Sequence, residues 1–257
     1  MSTQDEPAGH EHPEVCFHLG GRLQTELLTH LPFSVSSVTL GLIFAGIICF
    51  LTPDAMVAPI HADHAAGPEG DRAHDAEYHG SFIELFHLFH PAHMLFSAAA
   101  TTAMFRKYDR RRLRALVVGF TGAVVVCGLG DIAFPHLSLM ILGKAPEHVH
   151  ICIVQHPGLV FPFAAVGVAL GWVAAASVER ATFYSHSLHV FISTMATIFY
   201  LVGPIGRVAW IEQIGAVFCF SLVAVMLPCC FSDILYPVFF TRRGRADYAH
   251  SEHAHKH

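Results

Sequence analysis

Two short phrases of the sequence each place an aspartate inside an apolar run. One reads CGLGDIAFP and begins at Cys127, and the other reads CCFSDILYP and begins at Cys229. In both, the aspartate (Asp131 or Asp233) follows a cysteine by four residues and precedes a proline by four. A carboxylate in hydrocarbon is costly unless it is paired, hydrated or coordinated. Since the long apolar runs contain no lysine or arginine, the phrases predict a metal ion, a proton or a protonated histidine as the partner.

A second polar pattern, H-x-x-H-x-x-x-S-x-x-x-T, also occurs twice, once before each aspartate phrase. Its spacings of three and four residues put all four side chains on one face of a helix. Imidazole and carboxylate together are ligands that suit zinc and its first-row neighbours. The pattern comprises His90, His93, Ser97 and Thr101 in the first half, and His186, His189, Ser193 and Thr197 in the second.

These phrases give a candidate set of residues that bind or conduct a divalent transition-metal ion, with zinc as the first choice. Two simpler interpretations stay open, because a histidine in a span is often only hydrogen-bonded across helices and a cysteine there is often a small core residue. The principal candidates are His90, His93, Ser97, Asp131, His186, His189, Ser193 and Asp233. The additional candidates are Glu84, His87, Thr101, Cys127, His136, His156, Thr197, Cys229 and Cys230.

The composition is typical of a membrane protein. Of the 257 residues, 53% are hydrophobic and 14% are charged, and the mean hydropathy is +0.49, which is far from the values of a soluble domain. A membrane-spanning helix needs about 20 consecutive apolar residues, so the expected partner is a lipid bilayer and not a nucleic acid. Six runs have this length, approximately 33–52, 82–105, 115–135, 157–178, 187–206 and 211–240.

Lysine and arginine lie mainly on one side of the six predicted spans. The connection 106–114 and the segment 242–245 are rich in arginine, whereas the loops on the opposite side carry few basic residues. By the positive-inside rule, both termini are predicted to be cytoplasmic. No cleavable signal peptide precedes the first run. We therefore predict an integral protein of a prokaryotic inner (plasma) membrane.

The order of the polar phrases predicts a duplication. Because each copy has three spans, the second would enter the bilayer from the opposite face, as in the inverted repeats of transporters. The predicted fold is an all-α integral membrane protein with six transmembrane helices, built as two three-helix repeats of inverted topology. The predicted boundaries are a cytoplasmic histidine-containing segment 1–32, repeats 33–143 and 144–240, a histidine-rich outer loop 53–80, and a cytoplasmic histidine-rich tail 241–257.

The direction of each span places the two histidine–aspartate groups at different depths. The second span runs inward, which puts His93 and Asp131 in the outer half of the membrane. In the second repeat the topology inverts, which puts His189 and Asp233 toward the cytoplasm. We therefore expect an outer and an inner cluster, joined by a polar track of serine and threonine.

This arrangement predicts a transporter or channel for a divalent transition metal (zinc, nickel, cobalt or iron), with proton coupling left open. An enzyme is disfavoured, because an inverted repeat would leave one cluster redundant. Two alternative classes remain: a metal-dependent intramembrane enzyme with its site at His90, His93 and Asp131, and a b-type haem membrane protein. For a transporter, protons alone or a small neutral solute would fit the polar track almost as well as a metal. No nucleotide-binding phosphate loop, zincin helix or CxxCH motif occurs. The seven cysteines do not suggest a disulfide framework, and a homo-oligomer stays open.

Overall fold

Helices account for all the regular secondary structure in the described part of the chain. The computed structural model of the protein describes residues 14–51, 81–109, 111–146, 149–174, 178–206 and 209–241, with side chains except for 14–26, 81, 178–187 and 234. The histidine-rich segments at the two termini and in the predicted loop 53–80 fall outside these residues. Their assignment to loops and tails therefore stays a prediction.

The α-helices of the described residues follow one another in chain order. They are α1 (Glu14–Leu51), α2 (Ser81–Tyr108), α3 (Arg112–Thr121), α4 (Gly128–Ile141), α5 (Cys152–Gln155), α6 (Pro157–Ala174), α7 (Val178–Ile205), α8 (Ala209–Glu212), α9 (Ile214–Cys230) and α10 (Tyr236–Phe239). A π-helical segment, Gly122–Cys127, joins α3 to α4, and a second, Phe231–Leu235, joins α9 to α10.

Five of the six predicted spans are long and apolar enough to cross a membrane. They are Leu27–Leu51, Arg112–Ile141, Pro157–Ala174, Leu188–Ile205 and Ile214–Phe239. The remaining predicted span forms α2, which is 28 residues long but is not among the five. Its histidine, serine and threonine side chains lower its hydropathy. The described part of the chain is thus all-helical, with five helices long and apolar enough to cross a membrane, whereas the six-span inverted repeat stays a prediction.

Helix α2 lies at the centre of the bundle. It packs chiefly against α6 and α7, and also against α3 and the π-helical segment that follows α3. Its polar side chains His90, His93, Ser97 and Thr101 are fully buried, together with the apolar Phe86. These four residues form a polar stripe that faces other helices. That side of α2 therefore does not need an apolar surface.

Helix α1 shows the opposite arrangement, with one face in the core and one face outside. Its contacts are with α7 and α9. Large apolar side chains at helical spacing are exposed on the outer face, which suits lipid rather than water. The buried residues are Val38, Leu42, Ala45 and Cys49, and the exposed ones include Leu40, Ile43, Phe44, Ile47 and Phe50.

Close contact between α2 and α6 depends on two glycines spaced as G-x-x-x-G. A methyl group added at Gly167 would lie closer than 3.0 Å to the backbone carbonyl of Leu95. One added at Gly171 would meet the carbonyl of Ala99 in the same way. Small residues at this spacing let membrane helices approach closely. They set the position of the polar stripe of α2 within the bundle.

The prolines after the two aspartates lie within helices and do not end them. Helix α4 passes through Pro135 and continues to Ile141, and Pro237 lies within α10. Prolines are tolerated in membrane helices because neighbouring groups and local π turns satisfy the backbone groups that they release. Here a π-helical segment comes before each proline, and such segments are frequent at functional sites.

Candidate metal centre

Two histidines from different halves of the chain meet in the middle of the bundle. The Nε2 atoms of His93 on α2 and His189 on α7 are 2.6 Å apart, and both side chains are fully buried. His93 is the thirteenth of the 28 residues of α2, and His189 is the twelfth of the 28 residues of α7. Both imidazoles therefore lie close to the midpoint of a long helix.

The other ring nitrogen of each imidazole, Nδ1, contacts an aspartate from the same half of the chain. The Nδ1 atom of His93 lies 2.5 Å from Oδ2 of Asp131, and Nδ1 of His189 lies 2.8 Å from Oδ2 of Asp233. The Nδ1 atom of His90 contacts the same oxygen of Asp131 at 3.0 Å. A carboxylate in this position keeps the proton on Nδ1 and presents Nε2 as a ligand, as in carboxylate–histidine–zinc triads.

Two cysteines complete the group around the paired Nε2 atoms. Cys127 precedes Asp131 by four residues and Cys229 precedes Asp233 by four, so thiol and carboxylate share a helix face. The ligand atoms of His93, Cys127, His189 and Cys229 all lie within 4.8 Å of one another, and all four residues are buried. We refer to these four residues as the central site.

The donor set and its dimensions fit zinc. Two imidazole nitrogens and two thiolates are a common structural zinc set, with Zn–N bonds of about 2.0–2.1 Å and Zn–S bonds of about 2.3 Å. Tetrahedral coordination then separates two nitrogens by about 3.3 Å and a nitrogen from a sulfur by about 3.6 Å. The distance from Cys229 Sγ to His93 Nε2 is 3.5 Å. The two nitrogens, 2.6 Å apart, need to separate by less than 1 Å.

Without a metal, the close contact between His93 and His189 requires one shared proton. Both Nδ1 atoms face carboxylate oxygens, and where those carboxylates are ionised each Nδ1 carries a hydrogen. A hydrogen bond between the two Nε2 atoms then needs one further proton, which makes one ring an imidazolium. A metal ion that binds both Nε2 atoms must displace this proton, because ligating imidazole is neutral.

The two halves of the chain contribute matching hydroxyl contacts. Ser97 Oγ lies 3.1 Å from Cys127 Sγ, and Ser193 Oγ lies 3.4 Å from Cys229 Sγ. Thr101 extends the polar region beyond Ser97, with its hydroxyl 3.3 Å from the backbone carbonyl of Ser232. The predicted serines and the first threonine therefore lie beside the central site.

The expectation of separate outer and inner clusters is wrong. His93 and His189 contact each other, because each lies near the middle of its helix and the helices cross at that point. The aspartates lie behind the imidazoles, where they orient the rings. The cysteines, which were only additional candidates, supply half of the central site.

Several candidates lie away from the central site. Glu84 is exposed, His136 and His87 are half-buried, and His156 is exposed. Thr197 is buried, and its hydroxyl has no hydrogen-bond partner within the described part of the chain. Cys230 is buried beside Cys229 in the sequence but does not belong to the central site. The side chain of His186 lies outside those that the structure describes.

A second group of ligands lies toward the Ser81 end of α2. It consists of His87, His150 and His156, whose ring nitrogens lie within 4.8 Å of one another. His87 and His156 were candidates from the sequence, but His150 was not. It comes from a short non-helical stretch before α5, where no periodicity indicates which way a side chain points.

No family model, curated protein or solved structure matches the chain. What is established is an all-helical protein with five helices fit to cross a membrane and buried groups of histidine, cysteine and aspartate able to hold a metal ion.

Proposed function

We propose that the protein is a membrane transporter for a divalent transition-metal ion, with zinc as the preferred ion and the central site as its binding site. The observation that carries this proposal is the meeting of four buried ligands from both halves of the chain near the midpoint of two central helices. A site shared between two halves changes when the halves move against each other. That is the arrangement alternating-access transporters use.

Polar side chains on both sides of the central site support a route for the ion. Toward the Tyr108 end of α2, Ser97 and Thr101 each lie 3.4 Å from Oδ1 of Asp233. Toward the Ser81 end, the buried His90 lies about one helical turn from His93. Buried polar groups in a membrane bundle usually face a cavity or a substrate path.

The described geometry corresponds to an occluded arrangement in this proposal. His90, His93, Ser97 and Thr101 are all inaccessible to solvent, so an ion at the central site is shielded on both sides. Transport would then proceed by movement of the predicted repeats, 33–143 and 144–240, which opens first one side and then the other. The proposal includes inverted topology, six spans and cytoplasmic termini in a prokaryotic inner membrane.

The geometry fits the two alternative functions less well. A haem between His93 and His189 needs space for a porphyrin, whereas their Nε2 atoms are 2.6 Å apart. In the enzyme site predicted at His90, His93 and Asp131, both Nδ1 atoms contact the same oxygen of Asp131, and His93 Nε2 faces His189 of the other half of the chain. The central site is also a complete set of four donors, and catalytic zinc normally keeps one position open.

Zinc flux into proteoliposomes that contain a trapped zinc-sensitive dye tests the proposal. We expect flux with the unsubstituted protein, a rate near that of empty liposomes for the double variant Cys127→Ser/Cys229→Ser, and unchanged flux for the control His136→Gln. His136 lies on α4 outside both ligand groups. If the unsubstituted protein binds zinc tightly but fills liposomes no faster than empty ones, transport is refuted, and the site holds its metal statically.

A further inference from the structure

Three histidines from three separate segments converge at the Ser81 end of α2. The Nε2 atoms of His87 and His150 are 2.8 Å apart. The ring centre of His156 lies 4.8 Å from that of His87 and 5.6 Å from that of His150. We call these three residues the outer triad. Among the potential ligands that the structure describes there, it contains neither a carboxylate nor a thiol.

The backbone and a neighbouring aromatic ring fix the positions of these histidines. The backbone N–H of His156 donates to the carbonyl of Cys152 at 2.8 Å, and its own carbonyl accepts from Leu159 at 2.9 Å. The ring centre of Phe86 lies 5.8 Å from that of His87 and, in an edge-to-face arrangement, 6.4 Å from that of His150. Ligands held in this way lose little conformational entropy when an ion binds.

Packing alone does not explain why three imidazoles face one another. His87 and His150 are half-buried and His156 is exposed, so the group is reachable from solvent and is not part of the apolar core. The ring nitrogens converge on one another, where only one proton can be shared within each pair. A divalent cation satisfies all three lone pairs at once.

From this geometry we infer that the outer triad is a second divalent transition-metal site, which binds its ion through three imidazoles and leaves one coordination position to water. Three histidines and a water form an open zinc site of known type. Nickel, cobalt and copper also accept imidazole ligands. This site differs in chemistry from the central site, because nitrogen and water are its only donors. Its existence does not depend on the transport proposal.

The outer triad and the central site lie close together on α2. His87 and His93 are six residues apart, which corresponds to about 9 Å along a helix. His90 lies between them, fully buried, with its ring centre 4.9 Å from that of Phe86, on which it stacks. Its Nε2 atom has no hydrogen-bond partner among the residues that the structure describes. The two ions would therefore be near neighbours with different ligands, which allows them to be distinguished spectroscopically.

Metal content and cobalt spectra of the full chain test the inference. Purified protein is dialysed to equilibrium against micromolar zinc, and the bound metal is measured for the unsubstituted chain, for His87→Ala/His156→Ala and for the control His136→Gln. The histidine-rich segments are present in every protein, so their binding cancels in the difference. We expect the double variant to lose about one equivalent of zinc per chain and the control to lose none.

Cobalt reports on the central site in the same proteins. A thiolate ligand gives an intense near-ultraviolet charge-transfer band with Co²⁺, whereas imidazole and water do not. We expect His87→Ala/His156→Ala to keep this band at full intensity, which also shows that the bundle is folded. If the band is kept and the zinc content equals that of the unsubstituted chain, the inference is overturned.

A milder variant decides the matter if the double variant does not fold. His156 is exposed, so His156→Gln removes one ligand without opening a cavity. We expect this variant to bind zinc at the outer triad about tenfold more weakly or worse, as measured by competition with a chelator. The thiolate-to-cobalt band should remain. Binding indistinguishable from that of the unsubstituted chain would overturn the inference.

Discussion

The hydroxyl of Ser97 lies 3.4 Å from Oδ1 of Asp233, although the two residues are 136 positions apart. The reciprocal contact, from Ser193 to Oδ1 of Asp131, is also 3.4 Å. Each carboxylate therefore uses one oxygen for an imidazole of its own half and the other for a serine of the opposite half. In the proposed transport cycle, movement of one half against the other would change the contacts of both carboxylates together.

The thiols of the central site should be visible in the cobalt spectrum. We predict a thiolate-to-cobalt charge-transfer band in the unsubstituted protein, reduced in Cys127→Ser and in Cys229→Ser and absent in the double variant. The reason is that these two thiols lie next to His93 and His189, whereas Cys219 is exposed and belongs to neither ligand group. Cys219→Ser is the matched control and should keep the band. An unchanged band in Cys127→Ser/Cys229→Ser would remove the cysteines from the site.

Metal binding should release protons and should strengthen as pH rises. The proton shared by His93 and His189 and the protons of the two thiols must leave before a metal can bind, so we expect about three protons released per ion. Metal affinity is then highest at alkaline pH and is lost as pH falls. Calorimetry in buffers of different ionisation enthalpy measures the number of protons released per metal ion. In the variant Cys127→Ser/Cys229→Ser, the number of released protons should fall to about one. An equal number in the unsubstituted protein and the variant would contradict this account.

The glycines of α6 should be required for the position of α2. Gly167→Ala and Gly171→Ala each force a methyl group against a backbone carbonyl of α2, and overpacking of this kind costs about 1–3 kcal/mol. Gly158→Ala, on the same helix, is the control, because a methyl group there meets nothing within 4 Å. Thermal unfolding in detergent should show lower midpoints for the first two variants only. Equal midpoints for all three would contradict the close contact.

Much of the site could be predicted from the sequence because helical spacing determines which side chains share a face. The repeated phrases indicated His93, Asp131, His189 and Asp233, and the structure places all four in one connected group. Their functional roles stay predictions. Helical class and most of the apolar runs could be predicted for the same reason, since hydropathy is a property of consecutive residues.

What spacing could not give is the point at which two helices cross. The depth expected for His93 and His189 came from the direction of each span, but a side chain in mid-helix is within reach of both halves of the bilayer. The placement of Cys127 and Cys229 in the central site depends on that meeting of helices, because it brings their thiols close to the ring nitrogens of His93 and His189. His150 lies in a connection without helical periodicity, so no sequence pattern could indicate where its side chain would lie.

The two aspartates should be equivalent in function, and this prediction separates a shared site from two independent ones. Asp131→Asn and Asp233→Asn keep the size of the side chain but remove the charge that holds the proton on Nδ1 of His93 or His189. We expect each variant to insert and fold, because a buried amide carries no charge and its oxygen can still accept a hydrogen bond from the facing imidazole. Loss of an outer-shell carboxylate should lower zinc affinity about 10–100-fold, and zinc flux into liposomes should fall in both variants. The control Glu84→Gln alters an exposed carboxylate of α2 and should leave affinity and flux unchanged. If only one of the two aspartate variants loses affinity, the halves do not share one ion. If both keep affinity and lose only thermal stability, the carboxylates serve the packing of the bundle and not the metal.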